Sequence, residues 1–213
     1  MPHLLHIDAS AMAEGSVSRE IAQTFRDQWD GGVTYRDLGQ TPIPHLDAAG
    51  ITSWFTPAES WSAEQAADAA LQDELIDELL AADAYLFAVP MYNWGTPSTF
   101  KAWLDHVIQP SRTTGPDGPV SGRPATLVLS KGGGYGPGAP KEGWDYVEPY
   151  LTRILSEVFR FDLHVITAEL TLADRKPELA DLRGVAAENR ERAHTAARAR
   201  ARHLSGRRQP AGA

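Results

Sequence analysis

Residues Ala84-Tyr85-Leu86-Phe87-Ala88-Val89 form a short, wholly apolar run that stops at Pro90 and gives way to Met91-Tyr92-Asn93-Trp94. An unbroken apolar run of strand length is the pattern of a strand covered on both faces, which means a parallel sheet between two layers of helices. Parallel strands cannot be joined by tight turns. Each needs a crossover, usually a helix, and the crossover is right-handed. This one segment therefore prescribes the kind of fold, and with it the place for chemistry: open parallel sheets hold ligands beyond the carboxyl ends of their strands.

The rest of the chain fits that plan. His3 to Asp8 is apolar enough for a first strand. Ser18 to Trp29 reads as a helix, with Ile21, Phe25 and Trp29 four apart on one face and Ser18 as N-cap. Gly31-Gly32 closes it, and Val33 to Leu38 alternates like an edge strand. Gly39 to Trp61 is rich in Pro, Gly and Thr without clear periodicity, and a connection of that length predicts a functional loop or lid. Ser62 to Leu80 is a helix: Ser62 and Gln65 make a capping box, and Leu71, Leu75, Ile76 and Leu79 supply the apolar stripe. Pro97 to Val107 and Trp144 to Phe159 read as helices, Ala125 to Leu129 and Asp162 to Ala168 as strands, and Pro177 to His203 as a largely helical, Ala/Arg-rich segment. Gly115-Pro116-Asp117-Gly118-Pro119 is a turn. Five strands alternating with five helices predict an α/β chain with a flavodoxin-like, doubly wound five-stranded parallel sheet of order 2-1-3-4-5 and helices on both faces. Residues 1–213 are expected to form a single domain, with a flexible tail from about residue 205.

Composition removes several classes of function. The chain has no cysteine, which excludes disulfides, thiolate catalysis and zinc–thiolate sites. Its formal charge of −8 argues against a general nucleic-acid binder. Arg190, Arg192, Arg198, Arg200, Arg202, Arg207 and Arg208 crowd the end of the chain and are read as a solvated helix whose arginines complement its dipole. The seven histidines show no metal-ligand spacing, and His3 and His6 are read as structural. No G-x-S-x-G elbow is present, so a serine hydrolase is not expected. The start shows no signal peptide, and no apolar run approaches the roughly 20 residues of a membrane span. A cytoplasmic protein with no membrane or nucleic-acid partner is expected.

Three loops leave the carboxyl edge of the predicted sheet. The first, Ser10-Ala11-Met12-Ala13-Glu14-Gly15-Ser16-Val17-Ser18, carries small hydroxyl residues into a helix N-terminus, where free N–H groups and the positive dipole end favour a phosphate. It has neither the dinucleotide fingerprint nor the P-loop pattern. A serine N-cap with a flexible approach would look similar. In the second, the amides of Met91 to Trp94 are placed to meet the polar edge of a ring, Asn93 can donate and accept, and Tyr92 and Trp94 offer flat faces. The plain alternative is a turn with a left-handed Asn93 and Trp94 packed in the core. The third, Ser130-Lys131-Gly132-Gly133-Gly134, lets backbone approach a planar ring because three glycines lack Cβ; otherwise it is a flexible connector. Together the three loops predict one flat, phosphorylated ligand, FMN, at the switch point between the first and third strands.

With these segments in hand, the chain resembles the FMN-dependent NADH:quinone oxidoreductases, also called azoreductases. The match runs through Ser10, Ser16-Val17-Ser18, Pro90-Met91-Tyr92-Asn93-Trp94 and Ser130-Lys131-Gly132-Gly133, with Arg36-Asp37-Leu38, Pro42 to Asp47, Lys101 with Asp105, Pro149-Tyr150-Leu151 and Ala168-Glu169 alongside. It covers residues 3 to about 200. The resemblance implies FMN contacts at Ser10, Ser16, Val17, Ser18, Met91, Tyr92, Asn93, Trp94, Ser130, Lys131, Gly132 and Gly133. It further implies NADH or NADPH as donor, a quinone or azo compound as acceptor, and a homodimer whose pockets are completed by the partner chain. Trp54, Trp61 and Trp144 lie outside obvious core stripes, as an interface would require.

The chain departs from the family pattern at Leu155-Ser156-Glu157-Val158-Phe159, where Glu157 stands in place of an aromatic. Gly134 to Gly143 carries extra Gly and Pro, and the loop around Pro110 to Pro119 is shortened. A carboxylate at position 157 is expected to face water or to pair with Arg160 or Arg153. The expected activity is a ping-pong transfer of two electrons from nicotinamide to acceptor over one flavin face, with no obligatory protein acid or base. Another class stays open: a flavodoxin-like electron carrier, a flavin-binding module without its own substrate, or a biosynthetic flavin reductase acting on a specialised acceptor.

Overall fold

A computed structural model describes residues 1–110, 112–115 and 117–206. The strands are β1 (His3–Asp8), β2 (Gly32–Asp37), β3 (Ala84–Pro90), β4 (Pro124–Ser130) and β5 (Asp162–Ala168). They form one parallel sheet in the order β2-β1-β3-β4-β5. Every residue of central β3 is buried, whereas the edge strands β2 and β5 are only partly covered. That contrast is why β3 is unbroken in its apolarity and β2 alternates.

The two faces of the sheet carry separate cores. Leu5, Ile7, Phe87, Leu127 and Leu129 turn to one side, against α3 (Ala63–Ala81), α4 (Ser98–Val107) and α5 (Val147–Arg153); Trp103 of α4 is fully buried there. Leu4, Leu86, Ala88 and Val128 turn to the other, against α1 (Val17–Arg26) and α6 (Arg183–Ser205). Adjacent residues of a strand fall in different cores because side chains alternate across a pleat. On α6, Ala193, Ala197 and Ala201 repeat at four and bring that helix close to the sheet and α1. Truncating a fully buried aromatic such as Trp103 to alanine costs about 3–5 kcal/mol.

The predicted elements appear, with corrections at their ends. Helix α1 begins at Val17, and Ser16, not Ser18, is its N-cap; Ser18 lies buried in the first turn. The helix expected from Trp144 starts at Val147, where the Asp145 carboxylate accepts from Val147 N and Glu148 N at 3.0 and 3.1 Å. It then widens into a π-turn, Ile154–Val158, closed by Phe159 N donating to Ile154 O at 3.1 Å. The largest correction is Gly39 to Trp61. It holds α2 (Ala48–Ser53), capped by Asp47, and a 3₁₀ turn, Ala58–Ser60. Trp54 Nε1 donates to Gln72 Oε1 of α3 at 2.6 Å and Trp61 Nε1 to Thr56 O at 2.9 Å, so the segment is packed against α3 and is not a free lid. Among the described residues there are therefore six α-helices. The capping box of α3 is present, with Gln65 N donating to Ser62 Oγ and Ser62 N to Gln65 Oε1. The tail expected from residue 205, with Arg207 and Arg208, lies outside the described residues beyond Gly206, as does Pro116 of the predicted turn. Among the described residues, no helix is long and apolar enough to cross a membrane.

Candidate active site at the carboxyl edge of the sheet

The chain leaves β1 at Asp8, and Gly15, with φ +66°, turns it into α1. Ser10, Ser16 and Ser18 are all buried. The hydroxyls of Ser16 and Ser18 pair with each other at 3.2 Å, so Ser16 does not cap its own helix. Glu20 N is the first to find an intrahelical acceptor, Ser16 O. The amides of Val17, Ser18 and Arg19 thus have no acceptor among the described residues, an arrangement suited to an anion.

Below this loop lies a charged layer. Arg19 donates to Ser10 O at 2.7 Å, to both oxygens of Asp37 at 2.6 and 2.7 Å, and to Asp8 at 3.0 Å. Tyr35 OH donates to Asp8 at 2.7 Å. Burial by itself would push the Asp8 carboxyl up, but hydrogen bonds from His6 and Tyr35 and the charge of Arg19 hold it below the usual carboxylate range. Asp37 is likewise held down, against partial burial, by Arg19 and the amides of Gln40 and Gly39. Both acids stay ionised and keep Arg19 fixed against the loop backbone.

The second loop extends the sheet by one bond, Met91 N to Ser130 O at 2.8 Å, and then reverses. Tyr92 and Gly95 exchange both backbone bonds at 3.0 Å, with Asn93 (φ 47°) and Trp94 (φ 66°) between them in left-handed conformation. Asparagine tolerates that region; tryptophan does not, and holding it there costs about 1–3 kcal/mol, strain of a kind found at ligand sites. Three contacts impose it. Tyr146 N donates to Trp94 O at 3.0 Å, Trp144 meets the ring edge-on at 5.4 Å, and the Lys141 ammonium lies 5.4 Å from the ring centre. The plain-turn alternative is thus right about Asn93 and wrong about Trp94, which is 37% exposed instead of packed in the core. Tyr92 OH accepts from Ala11 N at 3.1 Å and lies 3.4 Å from Ser10 Oγ, tying this loop to the first. Thr96 Oγ1, in the same loop, is buried without a partner.

In the third loop the residues divide. Ser130 ends β4 and is buried. The Lys131 side chain, 4% exposed, is held by Asp145 at 2.5 Å, Glu148 at 2.6 Å and Glu169 at 3.7 Å. Burial would lower its pKa, yet these carboxylates raise it. Its backbone is engaged as well, with Ala168 O and Thr171 N. The side chain of Lys131, expected among the ring contacts, is thus held by three carboxylates, and it lines an adjoining cavity of about 540 Å³. A Cβ on Gly132 would lie 2.7 Å from Leu172 Cδ1, so the close approach expected there is made by a leucine of this chain. The amides of Gly132 and Gly133 have no acceptor among the described residues.

Met91, Asn93, Trp94, Gly132 and Gly133 come together as one wall of a cleft of about 800 Å³. The other wall went unread in the sequence: Leu170, Leu172, Lys176, Leu179 and Leu182, from the segment after β5. Its one available signal was topological, since β5 beside β4 must deliver its exit loop next to the glycines. Ser10, Ser16 and Ser18 do not line the cleft; Ser10 is tied to the turn through Tyr92, while Ser16 and Ser18 pair with each other. Val17 lines a smaller cavity of about 280 Å³ with Leu170 and Asp174. The site thus has an anion-seeking end at α1 and a flat, partly apolar end between Trp94 and the glycines.

Comparison with known proteins settles the family. A model for the flavodoxin-like fold matches residues 2–198. A protein of Frankia casuarinae named FMN-dependent NADH:quinone oxidoreductase is 47% identical over 209 residues, covering 94% of this chain and 99% of its own. The chain belongs to that family of oxidoreductases. A Streptomyces avermitilis member with the same name is 42% identical over 214 residues, covering 97% and 99%. Among solved structures, an azoreductase from Bacillus anthracis superposes with a TM-score of 0.80 at 21% identity, covering 95% of this chain and 100% of that one. An FMN-dependent NADH-azoreductase of the same species, in complex with FMN, gives 0.78 at 18%, covering 97% and 100%. At such identities the superpositions speak for the fold, and they agree with the sheet order expected from the sequence.

Proposed function

We propose that this chain is an FMN-dependent oxidoreductase that passes two electrons from NADH or NADPH to a quinone, and also to azo compounds. The observation that carries the reading is the continuity of the site. The first loop, which leads into an uncapped, hydroxyl-lined helix start, is joined at Ser10 and Ala11 through Tyr92 to a strained turn at the mouth of an 800 Å³ cleft. Ser10, Ser16, Val17 and Ser18 would hold the phosphate. Met91, Tyr92, Asn93, Trp94, Gly132 and Gly133 would hold the ring, with Ser130 and Lys131 bracing them. The residues fit the group: three free amides and buried hydroxyls would serve a phosphate as donors, and the glycine amides would serve a ring carbonyl.

Bound FMN supplies the hydride-accepting chemistry. The chain's part is binding, orientation and exclusion of water. Amides of Gly132 and Gly133 would stabilise negative charge on a ring edge, and Trp94 braced by Trp144 would offer a flat wall to a planar substrate. Donor and acceptor use one face in turn, a ping-pong order. A homodimer would complete the cleft; the exposed aromatics Phe55, Trp144 and Tyr146 support this reading.

The test is reconstitution of the purified protein with FMN or FAD, then steady-state NAD(P)H oxidation with a quinone. One FMN per chain and direct quinone reduction are expected. Preference for FAD, or flavin binding without turnover as in an electron carrier, would overturn the proposal. Sedimentation at micromolar concentration checks the dimer.

A further inference from the structure

Every other Lys or Arg among the described residues has an ion pair, a hydrogen bond or an aromatic partner for its side chain; Arg175 has none. It lies in the segment between β5 and α6, exposed to solvent, and its guanidinium reaches back across the sheet edge to the first loop. A Cβ on Gly15 would lie 3.1 Å from Arg175 Nη2. Neither Glu14, next to Gly15, nor Asp174, which pairs with Arg183 at 3.8 Å, makes an ion pair with Arg175 among the described residues. An arginine is a poor choice for such a position unless something anionic arrives, because its planar fork is the best match in the side-chain repertoire to a phosphate's oxygens. Gly15 supports the same conclusion. Its left-handed backbone leaves the guanidinium room, and any side chain there would be strained and would press on Nη2.

We propose that Arg175 is a phosphate clamp, closing over the FMN phosphate from the β5–α6 segment, opposite the free amides of Val17 to Arg19. The inference rests on the FMN reading above and adds to it a residue outside the three loops. The division of labour follows from the geometry. The α1 amides and serine hydroxyls form a fixed floor, and Arg175, long and exposed, supplies charge that the floor lacks. Arg19 cannot do so, since Asp8, Asp37 and Ser10 O occupy its guanidinium. The clamp discriminates FMN from the unphosphorylated flavin and leaves the ring end untouched.

The experiment is titration of the apoprotein with FMN and with riboflavin, at low and high salt, for wild type, Arg175→Gln and Arg175→Lys. Arg175→Gln should weaken FMN about tenfold or more, the usual consequence of losing a charge-assisted bond to phosphate, and flatten its salt dependence. Riboflavin affinity should not change, and lysine should restore part of the loss. Equal weakening of both flavins would mean a structural role and overturn the clamp. So would unchanged FMN affinity, including the case in which Arg175→Gln weakens only NADPH binding to the flavin-loaded enzyme. If wild type binds neither flavin, the FMN reading itself falls and the clamp with it; if wild type binds FMN and the variant matches it, only the clamp falls.

Discussion

Two largely buried cations hold the two ends of the candidate site, and they do it differently. Arg19 stands under the first loop and grips that loop's backbone at Ser10 O while resting on Asp8 and Asp37, carboxylates carried by β1 and β2. Lys131 belongs to the third loop and reaches outward to Asp145, Glu148 and Glu169, which are carried by loops and a helix start. The partners differ in burial: the Asp8 side chain is 5% exposed and that of Glu148 38%. A planar fork on strand-borne acids makes a rigid floor, whereas an ammonium on partly wet acids makes an adjustable strut. On the proposed reading, the phosphate end would be preorganised and the ring end would accommodate different flat substrates.

The contrast breaks most directly at Arg19. Arg19→Met leaves Asp8 buried without its cation and should lower the unfolding free energy by about 3–5 kcal/mol, measured by urea denaturation. The pH dependence gives a second check. In wild type the folded Asp8 and Asp37 hold protons less tightly than in the unfolded chain. Their contribution is thus complete above the ordinary carboxylate pKa of about 3.9 and is lost as pH falls through the lower folded values. Without Arg19 the folded pKa of Asp8 rises toward the unfolded value, so the acid-driven loss of stability from this group should shrink. An unchanged acid limb would show that the layer under the first loop is held by something other than Arg19.

Lys131→Met should cost less, about 2–3 kcal/mol, because water can reach Glu148 and Glu169 once the ammonium is gone. The folded pKa of Lys131 is raised, so its contribution is present below about pH 10.4 and lost only as pH climbs through the higher folded value. Stability from this group should accordingly be level through neutrality. FMN affinity should fall while FMN-to-riboflavin selectivity stays, since the loss is at the ring end. A loss of selectivity would mean that the two ends are one unit.

What could be read from the sequence follows the same division. The five strands and their order were legible because β3 is covered on both faces and its neighbours on one, and burial writes itself into apolar runs. Ser10, the Ser16–Ser18 stretch and Asn93 stood out as small hydroxyls before a helix and an asparagine in a turn, and the structure brings them to the carboxyl edge of the sheet. Helix α2 was not: six residues with two buried positions leave no periodicity, and only Asp47 as a cap marked it. The π-turn at Ile154–Val158 leaves no local sign. Lys131 looked like a ligand contact because three of its partners, Asp145, Glu148 and Glu169, lie 14 to 38 residues away, and no spacing rule joins them. The leucines after β5 were missed for the same reason, their role being fixed by which strand β5 pairs with.

A finer test separates side chain from backbone at the turn. Asn93→Ala should weaken FMN by about 1–2 kcal/mol by removing a polar partner, and should also destabilise the protein, because alanine tolerates φ 47° poorly. Asn93→Gly keeps the backbone free to adopt that angle. It should show the same loss of affinity with little loss of stability. If glycine restores FMN affinity, the turn's shape and not the amide side chain holds the ring.

The smallest effect is expected at Glu157, whose replacement of a family aromatic would otherwise point to acceptor choice. Its carboxylate is 66% exposed and lies 3.6 Å from Arg153, on the rim of the Lys131 cavity and not in the wall that holds Asn93 and Trp94. Of the two outcomes expected for an acid at this position, facing water and pairing with Arg153, both hold. An exposed pair of this kind contributes no more than about 1 kcal/mol. Glu157→Phe should therefore change the ratio of quinone to azo-dye reduction by less than about twofold, as surface substitutions do, with quinones the faster class throughout. A strong gain on azo dyes would place the π-turn at a cleft wall that one chain alone does not form. That result would count for the proposed dimer, because only a second copy could bring Glu157 to the substrate.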